Sequence, residues 1–117
     1  MIRKKTDFGS ITVDSAVFTN IAGNAATKCF GVKGMAARSM TDGLVHLLRL
    51  ESMAKGVKVT FNEDESISID LHIMVDKGIK ICAIGNSIIS EVRYFVTKST
   101  GTEVRAINVF VDSITVD

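Results

Sequence analysis

Apolar and polar residues change period several times along this chain, and each change marks an element. From Gly56 to Phe61 they alternate strictly, with Val57, Val59 and Phe61 on the apolar side. After the polar run Asn62-Glu63-Asp64-Glu65, the alternation resumes at Ser66 and holds through Asp76. A period of two is that of a half-buried strand, so this segment predicts a β-hairpin closed by a polar turn. Elsewhere the period is helical. Val17, Phe18, Ile21, Ala22, Ala25, Ala26 and Cys29 recur at i, i+3, i+4, i+7 and i+8, the stripe of an amphipathic helix. Asp14 or Ser15 is placed to cap it, because a side-chain oxygen there can accept from free N–H groups of the first turn. The small residues Ala22, Gly23, Ala25 and Ala26 predict a close approach to whatever covers this helix. A longer helix is predicted from near Ile81 to Ser99. Ile84, Ile88, Val92, Phe95 and Val96 form its buried face, and Gly101 stops it.

Weaker signals fill the intervals. Residues 9–13 alternate and read as a short edge strand, preceded by a frayed, solvated end that includes Arg3, Lys4 and Lys5. Residues 31–40 contain Gly31 and Gly34 and read as a helix break. Leu44, Leu47 and Leu48 share a helical face, which predicts a short second helix over 42–50. The last strand runs from Glu103 to near Val116. In it Ile107, Val109 and Val111 point one way, and Val104, Ala106, Asn108 and Phe110 the other. Ile114 and Val116 have the wrong parity for this pattern, and a β-bulge near Ser113 accounts for the slip. The element order predicts an α+β fold: a two-layer sandwich with an antiparallel or mixed sheet of about four strands and two to three helices on one face. Strands covered on both faces read as continuous apolar runs, and these do not.

Composition narrows the class. A chain of 117 residues fits one domain spanning 1–117. With 46% hydrophobic and 23% charged residues it can build a core without disulfides or metal. That core must be aliphatic, since there is no Pro or Trp and only 6% of residues are aromatic. The net charge of +1 offers no general attraction to nucleic acid or to a membrane surface. Cys29 and Cys82 form no C-x-x-C motif and read as small hydrophobes in a reducing cytosol. No apolar run approaches the roughly 20 residues that span a bilayer, and no signal-type core follows the basic start. The expectation is a cytoplasmic protein with no direct membrane insertion.

Candidate chemistry is sparse. Asp70 and His72 lie two apart on a predicted strand and so share a face, away from Ile69 and Ile73. A carboxylate beside an imidazole can orient it, raise its basicity or share a metal with it. Without a nucleophile or further ligands, the pair reads first as a solvated polar face. Cys29, His46, His72 and Cys82 match no zinc-ligand spacing. There is no G-x-S-x-G elbow, no G-x-G-x-x-G and no Walker motif, so no catalytic, cofactor or metal residue is assigned. Gly31-Val32-Lys33-Gly34, a G-x-x-G between two predicted helices with Lys28 and Arg38 nearby, is the alternative site. In KH domains such a loop clamps a nucleic-acid backbone. Near-neutral charge makes Gly31, Lys33, Gly34 and Arg38 the lesser reading. On the outer side of the hairpin and last strand, Met74, Asn108 and Phe110 join Asp70 and His72. Exposed Met and aromatic side chains suit interface anchors, with a second minicore or a homodimer contact as the plainer alternatives.

Several segments together resemble one family. Ile21-Ala22-Gly23-Asn24-Ala25-Ala26, then Cys29-Phe30-Gly31-Val32-Lys33-Gly34-Met35-Ala36, is similar to the Ala-rich helix and G-V-x-G-M signature of the alkaline-shock (envelope stress response) proteins. Asp42-Gly43-Leu44, Lys55-Gly56-Val57-Lys58-Val59 and Ile69-Asp70-Leu71-His72-Ile73-Met74-Val75 match as well. So do Glu91-Val92, Tyr94, Thr100-Gly101 and Asn108-Val109-Phe110-Val111. The order and spacing cover nearly the whole chain and look closest to the short, stand-alone members of Gram-positive bacteria. The resemblance implies a cytoplasmic, non-enzymatic protein linked to cell-envelope homeostasis. Some relatives are held at the membrane by a membrane-anchored partner and form assemblies, and the family has no known catalytic residues. The expected function is therefore a protein-interaction module, an adaptor or assembly subunit, peripheral at the membrane through its partner. A KH-like nucleic-acid binder is the alternative.

Overall fold

A computed structural model describes residues 1–38, 45–47 and 56–115 of the chain. In chain order the elements are β1 (Ile2–Thr6), β2 (Gly9–Val13), α1 (Ser15–Thr27), β3 (Val32–Arg38), β4 (Val45–Leu47), β5 (Val57–Phe61), β6 (Ile67–Val75), α2 (Ile81–Thr100) and β7 (Val104–Ile114). The fold is α+β, with two helices on one face of a mixed sheet, as the patterning predicts, and with a separate two-stranded hairpin that it does not.

Strand β6 is the axis of the sheet. Along one side it pairs in parallel with β7 over its whole length. Along the other side two strands meet it end to end: β5 opposite residues 67–71 and β3 opposite residues 73–75, both antiparallel. Gly56 lies where these two strands abut. A Cβ there would stand 3.0 Å from the Met35 Cβ and from the Ala36 carbonyl oxygen, so only glycine fits without a shift.

The strict alternation of β6 becomes a division between two sides. Ile67, Ile69, Leu71, Ile73 and Val75 are fully buried beneath the helices. Helix α1 meets them with Phe18, Ala22, Ala25 and Ala26, and α2 with Ile84, Ile88, Val92 and Val96. The small stripe on α1 lets the two helices lie against one another, and Phe18 stands edge-on to Phe61 at 5.9 Å. Burying each such aliphatic side chain contributes about 1.5–3 kcal/mol, which makes this layer the source of stability. The Arg93 guanidinium donates to the Val104 carbonyl at 2.8 Å and fastens α2 to the start of β7. Gly101, in the left-handed region at φ 70°, ends α2 with its N–H bonded to the Thr97 carbonyl.

Several local expectations are corrected. The start of the chain is not frayed: Ile2–Thr6 pairs with Gly9–Val13, and Ile2 is buried against the core. Asp14 takes the N-cap position of α1, but its side chain makes no capping bond. The break expected over 31–40 is mostly strand β3. Glycine, lysine and alanine carry little strand propensity, so pairing with β6 and β4, not local preference, makes this segment extended. Within the predicted second helix, Val45–Leu47 is strand β4, paired with Ala36–Arg38. The remainder of that predicted helix lies outside the described residues. Phe95, expected in the core, is 41% exposed, because the face of α2 turned to the sheet runs through Ile84, Ile88, Val92 and Val96 and Phe95 flanks it. Cys82 is exposed rather than set among apolar neighbours, while Cys29 is half-buried.

Candidate functional site

The side of β6 away from the helices carries Ser68, Asp70, His72 and Met74, all half-buried. Sheet register aligns them into cross-strand rows. Thr60, Ser68 and Ala106 form one row; Lys58, Asp70 and Asn108 the next; then His72 with Phe110; then Gly34, Met74 and Ser113. Asp70, His72, Met74, Asn108 and Phe110 thus share one face of two adjacent strands.

Their pairing differs from the one the spacing suggested. Asp70 does not serve His72. Its carboxylate accepts from the Asn108 side-chain amide at 2.9 Å, across the β6–β7 ladder. The carboxylate that faces His72 belongs to Asp112, whose Oδ2 lies 3.0 Å from His72 Nδ1. A carboxylate that accepts here makes His72 Nδ1 the donor, and Nε2 is on the ring edge away from Asp112. Phe110 lies flat against the same imidazole, with ring centroids 4.7 Å apart and planes inclined by 11°. His72 is therefore clamped between a hydrogen bond and a stacked ring. Asp112 is 13% exposed at its side chain and His72 40%, so the pair is anchored from beneath and open at its imidazole end.

Asp112 is the residue the sequence did not single out, and a β-bulge explains its role. Ile73 pairs with Val111, and Met74 pairs with Ser113, which leaves Asp112 as the extra residue. Bulges re-aim a side chain, and this one turns Asp112 toward His72. The parity slip at Ile114 placed the bulge near Ser113, so the signal was present. A second bulge, at Arg105, had no such trace.

Arrangement of the G-x-x-G residues departs from the expected loop. Gly31, at φ 90°, forms the turn after α1, and its carbonyl accepts from Asp76 N–H at 2.9 Å. Lys33 is an exposed bulge residue inside β3, Gly34 is buried opposite Met74, and Arg38 closes the strand. Three of the four residues lie within a strand of the sheet, so the backbone amides do not form an interhelical cradle for phosphate.

Electrostatics elsewhere are modest. Hydrogen bonds from the Ser66 hydroxyl and N–H hold the Asp64 carboxyl below its ordinary range in the β5–β6 turn. Burial, with help from the Glu91 carboxylate, pushes the Cys29 thiol up. Among the described residues no three His, Cys, Asp or Glu side chains converge as metal ligands would. No described helix is long and apolar enough to cross a membrane.

Comparison with known proteins adds a family and a fold. The model of the alkaline-shock protein 23 family, described by a cell envelope-related function, matches residues 3–116. The YloU protein of Bacillus subtilis (strain 168) is 35% identical over 116 residues, covering 98% of this chain and 96% of its own. Spy1614 of Streptococcus pyogenes serotype M6 is 34% identical over 116 residues, covering 98% and 95%. Among solved structures, a MamM-CTD variant superimposes with a TM-score of 0.51 at 15% identity, covering 86% of this chain and 98% of its own. Another, a manganese form of MamM CTD, gives 0.51 at 16% identity. At that identity the likeness concerns the fold alone.

Proposed function

We propose a function from one settled premise: the chain belongs to the alkaline-shock protein 23 family, whose function is related to the cell envelope. The protein acts as a non-enzymatic interaction module, an adaptor or assembly subunit that docks a protein partner on the β6–β7 face. Its place is the cytoplasm, at the membrane periphery when that partner is membrane-anchored.

One observation carries this reading: the exposed Phe110 ring, stacked on an imidazole that Asp112 holds in place. An aromatic 44% exposed on a rigid strand loses little conformational freedom on binding, which is the property of an interface anchor. Around it, Asp70 with Asn108 and the free edge of His72 offer hydrogen-bonding groups in fixed positions, and Met74 supplies an adaptable apolar contact. Every polar group named here positions another or faces outward. None is set against a nucleophile, so the arrangement fits recognition and carries no chemical step.

Pull-down of tagged protein from membrane and soluble lysates, with and without nuclease, tests the reading. Wild-type chain should recover a defined membrane protein regardless of nuclease. Phe110→Ala and Met74→Ala should lose it while keeping the wild-type thermal melt. Normal recovery by both variants would place the interface elsewhere, and recovery of nuclease-sensitive RNA would replace the protein partner with a nucleic acid.

A further inference from the structure

Strand β7 has one free edge. It bonds to β6 along one side only, and among the described residues no strand pairs with the other. Eleven residues long, it presents a row of backbone N–H and C=O groups that a further strand could use. Native sheets guard such edges with charge, proline or bulges. In β7 the two charged residues, Arg105 and Asp112, sit at the two bulges and mark the ends of the guarded zones. Between them Ala106-Ile107-Asn108-Val109-Phe110-Val111 keeps an unbroken register with β6 and contains neither charge nor proline. A shallow apolar groove runs beside it, floored by Ile81, Gly85 and Ile89 of α2. Ile81 is 42% exposed there.

We propose that this edge pairs with the same edge of a second copy of the chain, antiparallel, about a two-fold axis at Asn108. A two-fold contact must be self-complementary, each residue meeting its counterpart reciprocally. This register meets that demand on both faces. On the open face Phe110 comes opposite Ala106 of the second copy, a large ring over a methyl. On the helix side Ile107 comes opposite Val109, a β-branched pair. Asn108 meets Asn108 on the axis, where two amides can bond to one another. Charge agrees as well. Arg105 lies near the start of the strand and Asp112 near its end, so antiparallel pairing brings each toward its opposite in the other copy. Parallel pairing would set like beside like. The contact also lays the two grooves together and covers Ile81 and Ile89.

This contact uses the edge of the sheet and shares Phe110 and Asn108 with the proposed docking face. Met74 lies on the central strand and belongs to the face alone, which keeps the two readings separable.

Sedimentation velocity over a concentration series, with circular dichroism as a folding check, decides the matter. Wild-type chain should pass from monomer to dimer, and Met74→Ala should follow the same curve. Asn108→Asp sets two carboxylates on the axis and should raise the dimer dissociation constant at least about tenfold, whereas Asn108→Ala, which breaks the same bond to Asp70 without adding a charge, should raise it less. Arg105→Asp and Asp112→Arg should each self-associate weakly, because each homodimer sets like charges together twice. Their equimolar mixture should recover the dimer, since both contacts then join opposite charges. A wild-type chain that stays monomeric throughout overturns the proposal. So does a dimer indifferent to Asn108→Asp. Should Asp112→Arg fail to fold for want of its His72 contact, the exposed Asn108→Asp variant still decides.

Discussion

The two sides of β6 are made of the same nine residues of backbone and differ in what covers them. On the helix side Ile67, Ile69, Leu71, Ile73 and Val75 touch no solvent. On the other side Ser68, Asp70, His72 and Met74 are half-buried, and they hold their neighbours by hydrogen bonds and stacking rather than by close packing. One side places stability in apolar area. The other spends its side chains on fixed orientation, which contributes less to folding and leaves groups available to a partner. Alternation with a period of two lets a single strand serve both ends at once.

Substitutions along β6 should reproduce that contrast. Leu71→Ala should be the most damaging, costing about 2–5 kcal/mol in denaturant melts, because the hole beneath α1 and α2 cannot close fully. Phe110→Ala, on the open side, should stay within about 1 kcal/mol of wild type. Equal losses at the two positions would break the comparison. Gly56→Ala comes next, at about 1–3 kcal/mol, since the new methyl must displace Met35 or the Ala36 carbonyl where β3 and β5 meet. His72→Ala should cost about 1–2 kcal/mol, because it strips the partner from a carboxylate that is largely buried. A loss as large as that of Leu71→Ala would mean that the open side is itself part of the core.

Smaller effects sharpen the picture at the edges of the sheet. The Asp64 carboxyl titrates below its unfolded value, so its contribution is present above the unfolded pKa and disappears as pH falls through the lowered folded one. Asp64→Asn should therefore flatten the acid limb of the stability profile and leave neutral pH almost unchanged. An unaltered acid limb would deny the turn that role. Thiol labelling gives the mildest readout. Cys82 should react first, being exposed, and Cys29 later, since it is half-buried with a raised pKa. The reverse order would mean that α1 and α2 do not shield Cys29.

Legibility followed the strength of the period. The hairpin of β5 and β6 and the helices α1 and α2 could be read because each repeats its signal over several turns or pleats. Strand β3 could not. Val32-Lys33-Gly34-Met35 has no alternation and, Val32 apart, little strand propensity, and it is extended because β6 leaves a half-edge beyond β5 for it to fill. The candidate site was half legible in the same sense. Parity placed Asp70, His72, Met74, Asn108 and Phe110 on one face. The partner of His72 had to wait for the bulge, because a residue that stands outside the ladder carries no parity of its own.

What the sequence determined by itself is thus the local periodicity: which faces are apolar, where the long helices begin and end, and, through its resemblance to relatives, the family. Tertiary structure alone decided which strands lie beside which. It set β7 parallel to β6, left the far edge of β7 without a strand partner among the described residues, and brought Asp112 across forty positions of chain to His72. Periodicity is written in neighbours along the chain, whereas pairing is settled by competition among all segments for the same edges. A strand's own residues do not record the outcome of that competition.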